Sequence, residues 1–246
     1  MKTSFAILLP AALLTSAHAQ KGNILFDDHF DNSSISSDRN GVNGGFGPKG
    51  VNNGIGNNGY VRENDSIGIV ATNGKVANQG VGLHSKKPLN LGKLKGFTLT
   101  FDVKQLGGQP ALNGYFLGLS NRRTSHYLKA NHFGIEIQSN ANFSEFVVDL
   151  VSQKNASEAQ ILPFGKKRQH FKDGITVSFT VKRDNTYSYV LSGTGKVISG
   201  KGKLRHTTYE AEFGNSSYIV LATQRGGHPH GDASLKVDRV TLKALP

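Results

Sequence analysis

Short runs in which apolar and polar residues alternate recur along most of this chain, and they constrain its fold more than any other feature. Clear examples are residues 98–104 (TLTFDVK), 114–120 (GYFLGLS) and 175–183 (ITVSFTVKR). A period of two is typical of strands that bury one face, and Gly, Asn, Asp or Pro bounds each run. No helical period is sustained. The sequence therefore predicts an all-β protein.

The number and spacing of these runs favour a two-sheet sandwich. Further runs are residues 132–138, 145–151, 186–191, 218–224 and 234–243. Residues 183–186 (RDNT) predict a tight hairpin between two of the runs. Many short strands with short turns and no internal repeat favour an antiparallel β-sandwich over a propeller or a solenoid. No internal linker is visible, so we expect one domain.

The first nineteen residues have the features of a secretory signal peptide. Lys2 gives a positive start, residues 5–14 are apolar, and Ala17 and Ala19 form an A-x-A cleavage signal. An apolar run of about ten residues is too short to span a bilayer, which needs roughly twenty. We expect residues 1–19 to be removed and residues 20–246 to form one exported domain, extracellular or periplasmic.

Composition limits the partners. The chain has no cysteine, which excludes disulfides and thiolate metal sites. Of 29 Lys and Arg only Lys2 lies in the signal, which leaves 28 against 17 Asp and Glu, or +11. Such a surface attracts acidic polysaccharide or an anionic cell surface. No nucleic-acid motif is present, so a nucleic-acid partner is not favoured.

Residues 40–59 (NGVNGGFGPKGVNNGIGNNG) interrupt the strand pattern. Gly and Asn tolerate positive φ, so this stretch predicts a long surface loop rather than a packed element. Two interpretations stay open: a loop that rims a ligand cleft with Asn side chains, and a simple insertion.

The order of several segments resembles a known superfamily. ILFDDHFDNSSIS, SIGIVATNGK, YFLGLS, FGIEIQS, SYIVLATQRGG and SLKVDRVTL follow one another as in the concanavalin A-like lectin/glucanase jelly roll. The chain is similar to laminarinase-type glycoside hydrolases in order and to laminin G-like lectin domains in style. The resemblance implies two antiparallel sheets, a carbohydrate ligand, and pairing of the strands that contain FDDHF and VDRV.

Residues 132–140 (HFGIEIQSN) provide the main candidate site. Apolar residues alternate with polar ones, so His132, Glu136, Gln138 and Asn140 are expected on one face. Laminarinase-type enzymes carry E-x-D-x-E on a strand of this kind, and here the sequence is Glu136, Gln138 and Asn140. Only the first carboxylate is present. The resemblance thus implies a glycan-binding floor without the glycosidase pair.

Two further residue sets belong to this prediction. Glu145 and Asp149 share a polar face of the next run, but about 13 Å separates positions four apart along a strand, too far for a retaining pair. Asp102 and Lys104 lie on a similar polar face in TLTFDVK, and we expect them to bind the ligand as well.

Two enzymatic alternatives remain open. A jelly-roll polysaccharide lyase acting on uronates would need no carboxylate pair. Its base would be His132 or His126 and its acid Tyr127. The uronate would be neutralised by Gln138 with Arg122, Arg123 or Arg225, although the sequence lacks the Q-[IV]-H and Y-x-K-x-G-x-Y-x-Q motifs of such lyases. A divergent glycoside hydrolase is the other alternative.

A structural calcium ion is implied by the resemblance alone. Jelly rolls of this superfamily often bind one Ca²⁺ between the first and last strands, where this chain has Asp27, Asp28 and Asp238. The alternative is that Asp27 and Asp28 merely charge an edge strand. No organic cofactor is expected.

Overall fold

A computed structural model describes twelve segments of the chain, within residues 23–246. They are residues 23–30, 46–47, 59–63, 66–71, 80–108, 114–123, 130–139, 146–152, 156–161, 174–193, 196–224 and 233–246. The predicted signal peptide, residues 1–19, lies outside them, and its removal stays a prediction.

The described residues are almost entirely β-structure. In chain order the elements are β1 (Ile24–Asp28), β2 (Phe46–Gly47), β3 (Gly59–Glu63), β4 (Ser66–Ala71), β5 (Gly80–Ser85), β6 (Leu89–Asn90), β7 (Gly96–Gly108), β8 (Gly114–Ser120), β9 (His132–Ser139), β10 (Phe146–Ser152), β11 (Ala156–Ile161), β12 (Ile175–Lys182), β13 (Thr186–Gly193), β14 (Lys196–Lys203), α1 (Tyr209–Phe213), β15 (Ser216–Gln224) and β16 (Ala233–Ala244). The predicted all-β class is confirmed.

The strands form two antiparallel sheets, as predicted. Sheet A has the order β14-β13-β12-β7-β16-β4-β3, and β1 also pairs with β16. Sheet B has the order β11-β10-β9-β8-β15-β5-β2, and β6 also pairs with β15. Pairing of β1 with β16 joins the FDDHF and VDRV segments, as the resemblance implied.

The core lies between the sheets and follows the alternation of the sequence. On β12, Ile175, Val177, Phe179 and Val181 are buried, whereas the residues between them are partly exposed. Burying one large apolar side chain contributes about 1.5–3 kcal/mol, so the alternation fixes which face of each strand turns inward.

The hairpin predicted at residues 183–186 joins β12 to β13. Asp184 accepts hydrogen bonds from the backbone N–H and the hydroxyl of Thr186, at 3.0 and 2.6 Å. Asn185 has φ of 65°, a left-handed conformation that Asn tolerates better than most residues.

The short helix α1 was not predicted, and it closes one end of the sandwich. Thr208 caps it, because its hydroxyl accepts from the Ala211 N–H at 3.2 Å. The rings of Tyr209 and Phe213 pack on Phe97 of sheet A, and Phe213 also contacts Phe133 of sheet B at 5.3 Å between centroids. The helix therefore ties the two sheets together.

Two observations complete the architecture. Within the Gly/Asn stretch, Phe46 and Gly47 form the short strand β2 against β5, so this part is paired and not a simple loop; the remainder up to residue 58 lies outside the described residues. Among the residues described, α1 is the single helix, and its five residues fall far short of a membrane crossing.

Candidate functional site

Two acidic residues face each other on the outer side of sheet B. Glu136 of β9 is the register partner of Asp149 on β10, and Phe116 of β8 is its partner on the other side. The core includes the residues on either side of each one: Ile135 and Ile137 beside Glu136, and Val148 and Leu150 beside Asp149. Because side chains alternate along a strand, both carboxylates point away from the core. Directly opposed residues have Cβ atoms about 4.5–5.5 Å apart.

Burial and mutual repulsion shape the chemistry of this pair. The side chain of Glu136 is only 6% exposed, whereas Asp149 is half-buried. Burial, and secondarily the charge of Glu136, raises the pKa of Asp149 above its usual value. Each effect disfavours the ionised form. Asp149 therefore keeps a proton more readily than an ordinary aspartate does.

His132 shares this face but is almost closed to solvent. Its ring is 1% exposed and packs edge-on against Phe116, with centroids 5.2 Å apart. Nδ1 lies 3.0 Å from the Ala130 carbonyl. Burial lowers the pKa of His132, although the Ala130 carbonyl and Glu136 oppose that shift. His132 therefore lies on the same face of β9 as Glu136, but its imidazole lies within packed structure rather than on an open floor.

The adjoining part of the same face is apolar and buried. Phe116, Val151, Val220 and Ala222 form a second hydrophobic cluster on the side of sheet B opposite the core. Every residue of β8 is buried, so this strand is covered on both faces. The accessible polar part of the described face therefore lies towards β10, at Asp149.

Other predicted residues of this site are only partly described. The backbone of Gln138 pairs with Val147 and Gly114. Asn140, Tyr127 and Arg225 lie outside the described residues. The binding role of Gln138 and Asn140 and the lyase roles of Tyr127 and Arg225 stay predictions.

Asp102 and Lys104 lie on the other sheet. They occupy the outer face of β7 in sheet A, away from His132 and Glu136. Both line a shallow depression of about 290 Å³ together with Asp238. Thr176 donates to Asp102 at 2.9 Å, and Lys104 Nζ lies 3.2 Å from Asp238 Oδ1. The predicted ligand residues therefore form two groups on opposite sides of the sandwich.

The three predicted calcium ligands are engaged separately. Arg239 donates from Nε and Nη2 to the two carboxylate oxygens of Asp27, at 3.0 and 2.9 Å. Burial would raise the pKa of Asp27, but the Arg239 hydrogen bonds, His29 and the Arg239 charge lower it overall. Asp28 accepts from the Phe30 N–H at 2.9 Å, and Asp238 pairs with Lys104.

This arrangement does not suit one calcium ion bound by all three aspartates. No group of three His, Asp or Glu side chains within the described segments converges on one point. A cation at Asp27 would have to displace the Arg239 guanidinium. Asp27 and Arg239 hold β1 against β16, and binding of a structural Ca²⁺ at Asp27, Asp28 and Asp238 stays a prediction.

Asp149 is the residue that sequence reasoning missed as a partner of Glu136. Comparison along a single strand finds Gln138 and Asn140 where an enzyme of the laminarinase type has further carboxylates. Across the ladder, however, the structure supplies the second carboxylate from β10. The alternation of residues 145–151 already placed Asp149 on the polar face of its strand, but only the register reveals its neighbour.

Comparison by sequence alone identifies no relative. No family model matches the chain, and no curated protein matches it.

Solved structures show the fold. A structure of endo-acting O-glycanases, with which prominent members of the human gut microbiota initiate mucin breakdown, matches with a TM-score of 0.58 and 14% identity over 91% of this chain and 100% of that one. A protein of unknown function from Shewanella oneidensis MR-1 matches at 0.57 and 14%, over 98% and 96%. The lectin UEA-II complexed with galactose matches at 0.55 and 11%, over 82% and 98%.

The chain therefore has the concanavalin A-like β-sandwich fold that its sequence resembles. This fold is used by carbohydrate-binding proteins among its structural neighbours. At these identities the comparison shows the fold alone, and the function is argued from the site.

Proposed function

We propose that the chain is a secreted carbohydrate-binding protein whose ligand contacts the outer face of sheet B at Glu136 and Asp149. The observation that carries this proposal is the opposition of these two acidic residues across β9 and β10. Carboxylates accept hydrogen bonds from sugar hydroxyls. Residues 1–19 support export, and the net charge of +11 on residues 20–246 supports an additional affinity for acidic glycans at surfaces away from these two carboxylates.

Substitutions on the two sheets test this location. A glycan array on the purified protein identifies a ligand, and calorimetry then compares Glu136→Gln, Asp149→Asn and the matched control Asp102→Asn on sheet A. We expect each of the first two substitutions to weaken binding about tenfold, the effect of losing one hydrogen bond to a charged group. The control should bind as wild type.

The opposite result would relocate the site. If Asp102→Asn weakens binding whereas Glu136→Gln and Asp149→Asn do not, the depression at Asp102 and Lys104 is the glycan site. If all three bind as wild type, neither group contacts the ligand.

A divergent glycoside hydrolase is a second candidate, favoured by the same carboxylate pair. Retaining enzymes hold two carboxyl groups about 5–5.5 Å apart, a separation compatible with directly opposed strand residues. The half-buried Asp149, whose pKa is raised, would protonate the leaving oxygen, and Glu136 would be the nucleophile. Water would then hydrolyse the glycosyl–Glu136 ester with Asp149 as base.

Activity separates the two candidates. Reducing-end release from the array ligands is measured for wild type, Asp149→Asn and Glu136→Gln. Hydrolysis that falls at least 10²-fold in both variants indicates the enzyme. Glycan binding without any release by the wild type indicates the lectin. The lyase alternative is tested by absorbance of unsaturated products; the 1% exposure of His132 does not favour that residue as its base.

A further inference from the structure

A second polar surface lies on the outer face of sheet A. Strands β12, β13 and β14 form a groove of about 670 Å³, which we call the lysine groove. The side chains that define it are Thr180, Lys182, Asp184, Thr186, Ser188 and Lys201.

The strand register places these groups in ordered rows. Lys201 lies opposite Ser188, and Ser188 lies opposite Thr180. The row continues onto β7, where the hydroxyls of Thr98 and Thr180 are 2.7 Å apart. Neighbouring strands are about 4.8 Å apart, so the row presents hydroxyl groups at regular spacing with a lysine at its edge.

The charge of the groove is positive. Lys182, Lys201 and Lys203 are exposed, and Lys203 lies beside the groove opposite Thr186. Asp184 is the one carboxylate among the groove-lining residues, and hydrogen bonds from Thr186 hold it at the hairpin. Three lysines against one aspartate give a net charge of +2. Exposed ammonium groups attract anions without a large desolvation cost.

The floor beneath the lysines is formed by two buried tyrosines. Tyr187 and Tyr189 extend from β13 under β14, where Gly202 and Gly200 leave room for their rings; a Cβ at either glycine would collide with the ring below. The Tyr187 hydroxyl donates to the Glu158 carbonyl of sheet B at 3.2 Å. A ligand would therefore meet a preorganised surface, which reduces the entropy cost of binding.

The chemistry of the groove favours a polysaccharide over a nucleic acid. Hydroxyls and ammonium groups suit sugar hydroxyls and their acidic substituents. Nucleic-acid channels usually add aromatic rings on which bases stack. Tyr187, the one aromatic residue among the groove-lining side chains, is only 5% exposed and belongs to the core.

We propose that the lysine groove binds an anionic polysaccharide, one that carries sulfate or carboxylate groups. This inference extends the proposed affinity for acidic glycans to a defined surface, on the sheet opposite Glu136 and Asp149. The two sites do not share residues, so each can be removed separately.

The experiment compares two double variants with equal charge. Lys201→Ser/Lys203→Ser changes the groove, and Lys86→Ser/Lys87→Ser removes the same charge from the turn between β5 and β6. Binding to heparin and to polygalacturonate is measured from about 50 to 300 mM salt. We expect the groove variant to bind at least one of these polymers about tenfold more weakly and to lose about two from the slope of log K against log salt. The control should change less than threefold.

Other outcomes would overturn the proposal. Equal losses in both double variants would mean that net charge, not the groove, attracts the polymer. Wild type that binds neither polymer at low salt would refute it, and so would a DNA duplex that binds more tightly through the same two lysines. The groove variant Lys201→Ser/Lys203→Ser is also assayed with a neutral glycan identified on the array. It should bind that glycan within threefold of wild type, so failure of the sheet B site and failure of the groove give different results.

Discussion

Asp149 lies directly opposite Glu136 across β9 and β10, and the register neighbours beyond them are Phe116 and Gln160. Two like charges at opposed positions of a sheet destabilise it. The partly buried pair Glu136 and Asp149 therefore lowers the stability of sheet B. Binding and catalytic sites commonly show this conflict between stability and chemistry.

Replacement of Asp149 by Asn should stabilise the protein at neutral pH. The folded-state pKa of Asp149 is raised, so the native state binds more protons than the unfolded chain between the two pKa values, and stability falls as pH rises through that window. Removing the like charge should contribute about 0.2–1 kcal/mol and raise Tm by up to about 4 °C at pH 7.

Thermal melts from pH 3 to pH 8 measure this effect. The advantage of Asp149→Asn should grow from acid to neutral pH. Asp238→Asn is the control, because Asp238 forms an exposed ion pair with Lys104 whose contribution is small. An advantage that is constant with pH, or a lower Tm at pH 7, would contradict the prediction.

Asp27→Asn should destabilise the protein, and only above acid pH. The pKa of Asp27 is lowered from 3.8 in the folded state, so its ion pair with Arg239 stabilises above the unfolded pKa and is lost as pH falls through the folded one. Because Arg239 is 40% exposed at its side chain, we expect a loss of only about 1 kcal/mol, or 2–4 °C in Tm.

Denaturant melts of wild type and Asp27→Asn at pH 7 and pH 2.5 check this. The difference in the free energy of unfolding should be present at pH 7 and shrink at pH 2.5. A difference of the same size at both pH values would show that Asp27 stabilises the protein through its hydrogen-bond geometry and not through its charge.

Glu158→Ala should destabilise the segment that precedes α1, because the backbone of Arg205 and His206 loses its hydrogen-bond acceptor. Glu158 is 2% exposed and accepts from the backbone N–H groups of Arg205 and His206 at 2.6 and 3.1 Å, and from Ser152 Oγ at 2.9 Å. Removal of this acceptor leaves those amides without their carboxylate partner, at a cost of about 1.5–3 kcal/mol.

Native-state hydrogen exchange is the measurement for Glu158→Ala. The amides of Arg205 and His206 should exchange faster by more than tenfold, whereas Glu210→Ala, at an exposed position of α1, should leave them protected. Unchanged protection at both amides would show that packing of α1, and not Glu158, holds this segment.

Gly134→Ala should destabilise sheet B. Gly134 and Gly118 are register partners on β9 and β8, and a Cβ on Gly134 would meet the Gly118 Cα at 2.6 Å. Overpacking of this kind costs about 1–3 kcal/mol. Denaturant melts compare Gly134→Ala with Ser199→Ala, at an exposed site of β14; equal stability of the two variants would show that the ladder relaxes freely.

Strand positions were predictable from the sequence where alternation is complete. The run at residues 114–120 matches β8, and residues 132–138 and 175–183 match β9 and β12 to within one residue. β14 was missed because its sequence, KVISGKGK, has glycines where core residues would stand. Tyr187 and Tyr189 of β13 fill that space, so the large side chains that cover the inner face of β14 belong to the neighbouring strand and not to β14 itself.

The candidate site was predictable only in part, for a related reason. Periodicity predicts the face of a strand on which each residue lies. It gives neither the register between strands nor the sheet to which a strand belongs. The pairing of Glu136 with Asp149 depends on the register between β9 and β10. The separation of Asp102 from Glu136 arises because β7 and β9 belong to different sheets.

The last two strands along the chain are interior members of their sheets. β15 lies between β8 and β5, and β16 lies between β7 on one side and β4 and β1 on the other. Neither sheet is therefore continuous until residues 216–246 are in place, and pairing between strands so far apart in sequence slows folding. The same arrangement makes residue 215 a cut site for fragment complementation, in which a peptide of residues 216–246 would complete both layers at once.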